Sequence, residues 1–354
     1  MFTVEQLLTQ AREIGASDIH LTAGAPPLAR VDGELEKLDY PKLMSDELER
    51  IVFSFMGERQ AKLYRERGEV QFAVSFGNSA RYRVNVFRQR GCDACSIRII
   101  ETELRTAEQL GIPASAASLC SKKSGLVLAA GGSGSGRSAT LAAFTDMINT
   151  DRNVHIVTLE KPIEYIHMHK RAVVNQREIG TDTASYSEAV RVALKEDTDV
   201  IVADELDSAD TVCAVLSAVR SGCLVFAAVN AQGAAEAVWN IVSLFPSERQ
   251  RQIREELFRA LEAVLAQRLI PREGGGGRAA AFEVMYATRK VRELIREGDI
   301  DKLEEEIKDG GKDGMVSMDD AVAELFRKGE ISEENALSYA NSSSYVSGRI
   351  KKID

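Results

Sequence analysis

The sequence predicts an α/β protein in which a small α+β domain precedes a parallel-sheet domain and a helical C-terminal region. Three observations carry that prediction. Between Leu126 and Thr150 a short apolar run, a glycine-rich turn and a helix-forming run follow one another directly. Downstream, near-continuous apolar strands alternate with helical patterns, as in a parallel sheet covered on both faces. Upstream, strand-like segments instead alternate apolar with polar residues and are punctuated by turn signals, which suits an antiparallel sheet.

In chain order, residues 4–14 place Leu7, Leu8, Ala11 and Ile14 on one helical stripe that Gly15 closes. Residues 16–22 and 28–31 read as strands, with Asp32-Gly33 as a hairpin turn. Amphipathic helices are expected over 45–57 and 58–67. Strands are expected over 69–75, 80–87 and 94–100, the first two separated by Gly77-Asn78. In the second half, strands are expected over 126–130, 154–160, 199–204 and 224–230, and helices over 187–193 and 211–219. A long charged helix is expected over 246–269, and Gly274 to Gly277 form a turn between strands around Leu269 and over 281–285. The domain limits implied are 1–105, a linker at 106–112, 113–290 and a helical region at 291–354.

A chain of 354 residues, 44% of them hydrophobic, is long enough for a core in each of two domains. The net charge of −9 disfavours nucleic acid as an electrostatic partner. No apolar run is long enough to span a membrane and residues 1–6 lack the pattern of a signal peptide, so a cytoplasmic location without direct membrane insertion is expected, with docking on a membrane complex left open. Five scattered cysteines suggest reduced thiols. Cys92 and Cys95 form a C-x-x-C pattern, read here as a turn between strands because no second pair or nearby histidine completes a metal site.

Gly131, Gly132, Ser133, Gly134, Ser135, Gly136, Arg137 and Ser138 fit the spacing G-x-x-x-x-G-K-[ST], except that Arg137 stands in the lysine position. A lone glycine-rich turn is most simply a connection with a helix N-cap at Ser138. Here strand, turn, hydroxyl and helix fall in the order that a phosphate cradle requires, because glycine lets backbone N–H groups turn inward at a helix start. The guanidinium of Arg137 keeps the charge but is bulkier than an ammonium, so binding should tolerate the change better than catalysis. Val200 to Ala203 is an apolar run ending in Asp204 and Glu205, acids that could hold Mg²⁺ and polarise a water. Ser138 and Glu205 are the expected metal ligands. Glu160 and Glu164 end the preceding strand.

This order of elements resembles the secretion ATPase superfamily, specifically the PilT-type retraction ATPases of type IV pili. The stretch from Gly15 to Gly33, residues 173–178, 189–197 and 291–298 carry the resemblance. It implies a PAS-like N-terminal domain, a RecA-like ATPase domain, ATP and Mg²⁺ as ligands, a hexameric ring of this chain or with a related ATPase, and an inner-membrane platform protein as partner. It also implies that Glu164 activates water, that Glu205 is the Walker B glutamate, and that Arg83 and Arg98 approach a nucleotide. Against that pattern, Ala139 replaces a threonine, Lys161 an acid, Asp204 a glycine and Asp207 an arginine, while Cys223 and Asn230 stand where two histidines are expected. Two functions follow from this: a pilus or secretion ATPase with slow hydrolysis, or a catalytically weakened structural paralogue in the same assembly. A small-molecule kinase would need an acceptor pocket or lid that the sequence does not reveal.

Overall fold

The computed structural model of the chain describes residues 3–31, 33–76, 80–100 and 104–351. Residues Asp32, Gly77 and Asn78 of the expected turns lie outside that set. The chain divides into two units, Met1–Glu103 with Pro162–Ile166, and Leu104–Lys161 with His167–Asp354.

The first unit is a six-stranded antiparallel sheet with helices Val4–Glu13, Ser45–Ser54 and Glu58–Arg67. Its strands are β1 (Asp18–Thr22), β2 (Leu28–Val31), β3 (Glu34–Lys37), β4 (Glu69–Phe76), β5 (Ala80–Gln89) and β6 (Cys92–Ile100), in the order β3-β2-β1-β6-β5-β4. The first helix opens with a reciprocal capping box between Thr3 and Gln6 and buries Leu7, Leu8 and Ala11. Arg90 (φ 49°) and Gly91 (φ 77°) form the turn between β5 and β6, the two left-handed residues that a tight hairpin needs. Cys92 therefore begins β6 instead of forming a turn, and Cys95 points into the core. The same hairpin fixes the register: Val84 pairs with Ile97 and Val86 with Cys95 on the buried face, and Arg83 pairs with Arg98 on the other.

The second unit is built on a seven-stranded sheet of β7 (Gly125–Ala130), β8 (His155–Glu160), β9 (Val173–Glu178), β10 (Val200–Ala203), β11 (Leu224–Val229), β12 (Leu261–Pro271) and β13 (Arg278–Tyr286). The order is β13-β12-β7-β11-β10-β8-β9, and only β13 runs antiparallel to its neighbour. Every residue of β7, β10 and β11 is buried, as expected for strands covered by helices on both faces. Two apolar clusters fill those faces.

The second unit also departs from the sequence expectation. The long helix ends at Ala260, because the apolar run from Leu261 is inserted between β7 and β13 as a strand buried on both sides. A largely apolar stretch, here interrupted by Glu262, Gln267 and Arg268, does not by itself distinguish helix from buried strand. Helix Ala234–Ser243 and edge strand β9 were not read from the sequence as elements. Beyond the sheet, helices Met318–Arg327, Glu333–Tyr339 and Ser343–Ile350 pack on Ile270, Ala279 and Ala281 of the β12–β13 hairpin.

Candidate phosphate-binding site

The parallel register brings the C-terminal ends of β7, β11, β10 and β8 to one rim of the second unit. Val229 is level with Ala130, and Ala203 is level with both Ala227 and Leu159. Gly131, Asn230, Asp204 and Glu160 therefore follow or end adjacent strands along that rim, where open α/β sheets place their ligands.

The loop that leaves β7 is glycine-rich for two different reasons. Gly134 (φ 75°) and Gly136 (φ 94°) occupy left-handed backbone. Gly131 does not, but a Cβ there would lie 2.2 Å from Ser135 Oγ and 3.0 Å from the carbonyl of Gln267. Helix Arg137–Asp151 begins directly after Gly136, one residue before Ser138, and no side chain caps its first N–H groups. Uncapped N–H groups at a helix start are the kind of donors to which an anion can bind. Ser133 and Gly134 are exposed, Ser138 and Ala139 are half-buried in the first helical turn, and the buried hydroxyl of Ser135 has no hydrogen-bond partner.

Two residues that sequence reasoning passed over hold the loop from beneath. Gln267 on β12 donates through Nε2 to the Ser135 carbonyl at 2.6 Å and accepts the Thr140 hydroxyl at 2.7 Å. Arg278 on β13 donates to the carbonyl of Gly134 at 3.3 Å. The available signal for Gln267 was a lone amide inside the apolar run from Leu261 to Ile270, where a polar group must find partners.

Acids face the loop from β10. Burial pushes the Arg137 guanidinium pKa down, while the charges of Glu205 and Asp204 oppose that fall. Glu205 is exposed, whereas Asp204 is held: it accepts the Tyr186 hydroxyl and, at 2.7 Å, the backbone N–H of Lys161. Glu160 accepts Thr158 Oγ1 at 2.6 Å and Gln176 Nε2 at 3.1 Å. Asp207 accepts the hydroxyls of Ser208 and Thr211 at the start of helix Ala209–Arg220. Glu205 and Asn230 line a shallow cleft with Leu206, Asn240 and Leu244. Cys223 is buried, its thiol pKa raised by that burial and by Asp199.

The remaining candidates belong to the first unit. Arg83 forms an ion pair with Glu164, and Arg81 donates to the carbonyl of Ile163. Arg98 pairs with Asp18 at 2.8 Å. Ser138, Arg137 and Glu205 thus share one rim in the second unit, while Glu164, Arg83 and Arg98 belong to the first, the two arginines on the sheet face opposite its apolar core.

A parallel sheet, a left-handed glycine loop and an uncapped helix start together define a P-loop nucleotide-binding protein. The family described as type II/IV secretion system protein matches residues 2–330. The type IV pilus retractation ATPase PilT of Pseudomonas aeruginosa is 38% identical across 94% of this chain and 96% of its own length. The type IV pilus ATPase PilU of the same organism is 35% identical across 98% of this chain and 91% of its own. A crystal structure of the pilus retraction motor PilT with bound ADP superposes with a TM-score of 0.89 at 37% identity, covering 98% of this chain and 99% of that one. The chain belongs to the type II/IV secretion system protein family, among its PilT-like pilus and secretion ATPases. Among the described residues no helix is long and apolar enough to cross a membrane.

Proposed function

We propose that this chain is a P-loop ATPase of a type IV pilus or related secretion machine, which binds ATP on the loop from Gly131 to Ala139 and hydrolyses it slowly. The observation that carries this reading is the left-handed backbone at Gly134 and Gly136 leading into an uncapped helix, with the Arg137 charge opposite Glu205 and Asp204. The loop N–H groups and the helix dipole would hold the phosphates, and Arg137 would add a positive charge beside them. Ser138 and Glu205 offer the hard oxygen donors that Mg²⁺ prefers, and Mg²⁺ commonly needs only one or two protein ligands when phosphate oxygens supply others. When bound, the ion would neutralise charge on the phosphates.

Within this chain, Glu205 would orient a water by accepting its hydrogen; the family resemblance assigns a base to the position of Glu164, which in the first unit is ion-paired with Arg83. The planar fork of Arg137 cannot reproduce the compact ammonium expected between two phosphates, which supports slow turnover. The proposal includes a ring of subunits, formed by this chain alone or with a related ATPase, and a membrane platform protein as partner, as the family resemblance suggests.

Calorimetric titration with ADP and ATP, followed by a turnover assay on the same preparation with Glu205→Ala as control, tests the reading. Binding of both nucleotides and a slow turnover lost in the control are expected. Absence of binding at millimolar nucleotide would overturn it.

A further inference from the structure

Gln267 lies on β12 next to the strand that feeds the glycine loop, since its neighbour Ala266 is level with Ala130 at the end of β7. Its side chain is buried, with 3% of the residue exposed, and both ends of the amide are engaged. Nε2 donates to the Ser135 carbonyl at 2.6 Å, and Oε1 accepts from Thr140 Oγ1 at 2.7 Å. One end therefore grips the loop and the other the first turn of the helix.

That geometry has a consequence for an anion. A trans peptide points its C=O and N–H in opposite directions. With the Ser135 carbonyl held down by Gln267, the N–H of Gly136 in the same peptide plane is turned away from β12. Without that hold, glycine at 136 would let the plane rotate and present a carbonyl oxygen, which repels phosphate, where an N–H should stand. Gly136 also cannot be replaced without disturbing the strut, because a Cβ there would meet Gln267 Nε2 at 2.8 Å.

We propose that Gln267 is a positioning residue for phosphate recognition, which orients the Ser135–Gly136 peptide so that its N–H faces a nucleotide β-phosphate. The inference rests on the reading of residues 131–138 as a nucleotide site. Gln267 acts through the loop and does not itself touch the ligand.

The test compares ADP with AMP, which lacks the β-phosphate, on the full chain. Gln267→Met keeps length and bulk but loses both hydrogen bonds. It should weaken ADP binding about tenfold, the scale of one net hydrogen bond, and leave AMP binding unchanged. Gln267→Glu supplies a second, pH-dependent readout. Its carboxylate still accepts from Thr140 but faces the Ser135 carbonyl without a donor, so ADP binding should be weak at pH 8 and recover as protonation restores an O–H donor. The pH dependence should appear for ADP and be absent for AMP, whereas a purely structural role would move both together. Circular dichroism confirms folding of each variant, and the pH series on Gln267→Glu decides the matter if Gln267→Met does not fold. Wild-type ADP affinity in a folded Gln267→Met, or a pH profile of Gln267→Glu parallel to the wild type, overturns the inference. Failure of the wild-type chain to bind ADP overturns the nucleotide reading instead.

Discussion

The hydroxyl of Tyr186 donates to the carboxylate of Asp204, whose other oxygen accepts the backbone N–H of Lys161 at 2.7 Å. One side chain thus ties the start of helix Tyr186–Ala193 to the end of β8. Tyr186 is 1% exposed, so its hydroxyl depends on that acceptor. Replacing Asp204 with glycine, the residue that the family resemblance expects there, should destabilise the second unit by about 1–3 kcal/mol by leaving a buried donor unpaired. Tyr186→Phe removes the donor together with the need for it and should cost less. Urea unfolding of both variants checks the order, and a more stable Asp204→Gly would contradict it.

A second expectation concerns pH. Burial lowers the His167 pKa to about 4, with the Asp146 charge opposing and Lys170 reinforcing the fall. Unfolded histidine titrates near 6.5, so between these values the unfolded chain binds more protons than the folded one. Stability should therefore be constant in this group above about pH 7 and fall as pH drops. Between pH 7 and 5 the loss should be about 2 kcal/mol. Denaturant melts of the wild type and His167→Gln, read as a difference so that carboxylate titration cancels, should show this slope only in the wild type.

The glycines of the loop should differ in their response to alanine. At Gly134 a Cβ meets nothing within 4 Å, so only the left-handed backbone penalises it, by about 1 kcal/mol. At Gly136 the same penalty adds to the 2.8 Å clash with Gln267 Nε2. Gly136→Ala should be the less stable variant and should lose more ADP affinity. The opposite ranking in calorimetric titrations and melts would mean that the loop does not rest on Gln267.

Arg137→Lys should not by itself raise ATP turnover to the order of 1 s⁻¹, an ordinary enzyme rate. Lys161, Asp204 and Asn230 would still surround the phosphates, and groups around one transition state act together. Turnover of Arg137→Lys, with Glu205→Ala as background, measures this. A single substitution that reached ordinary rates would show that the other departures are silent.

The glycine loop was legible because its information is local. Left-handed backbone at Gly134 and Gly136, and a strand and helix on either side, follow from residues a few positions apart. Alternation likewise announced β4, β5 and β6, since a strand with one buried face records its own geometry. The boundary at Ala260 was not legible, because a strand buried on both faces has no periodicity to separate it from the apolar stripe of the preceding helix.

What the sequence determined by itself was therefore the α/β class, the position of the glycine loop between β7 and its helix, and the acids that follow β10. What only tertiary structure decided was which side chains support them. Gln267 meets Ser135 across 132 residues of chain, and Arg83 meets Glu164 across 81. Such pairings depend on strand order and register, which are set by how whole faces pack and which no local backbone preference encodes.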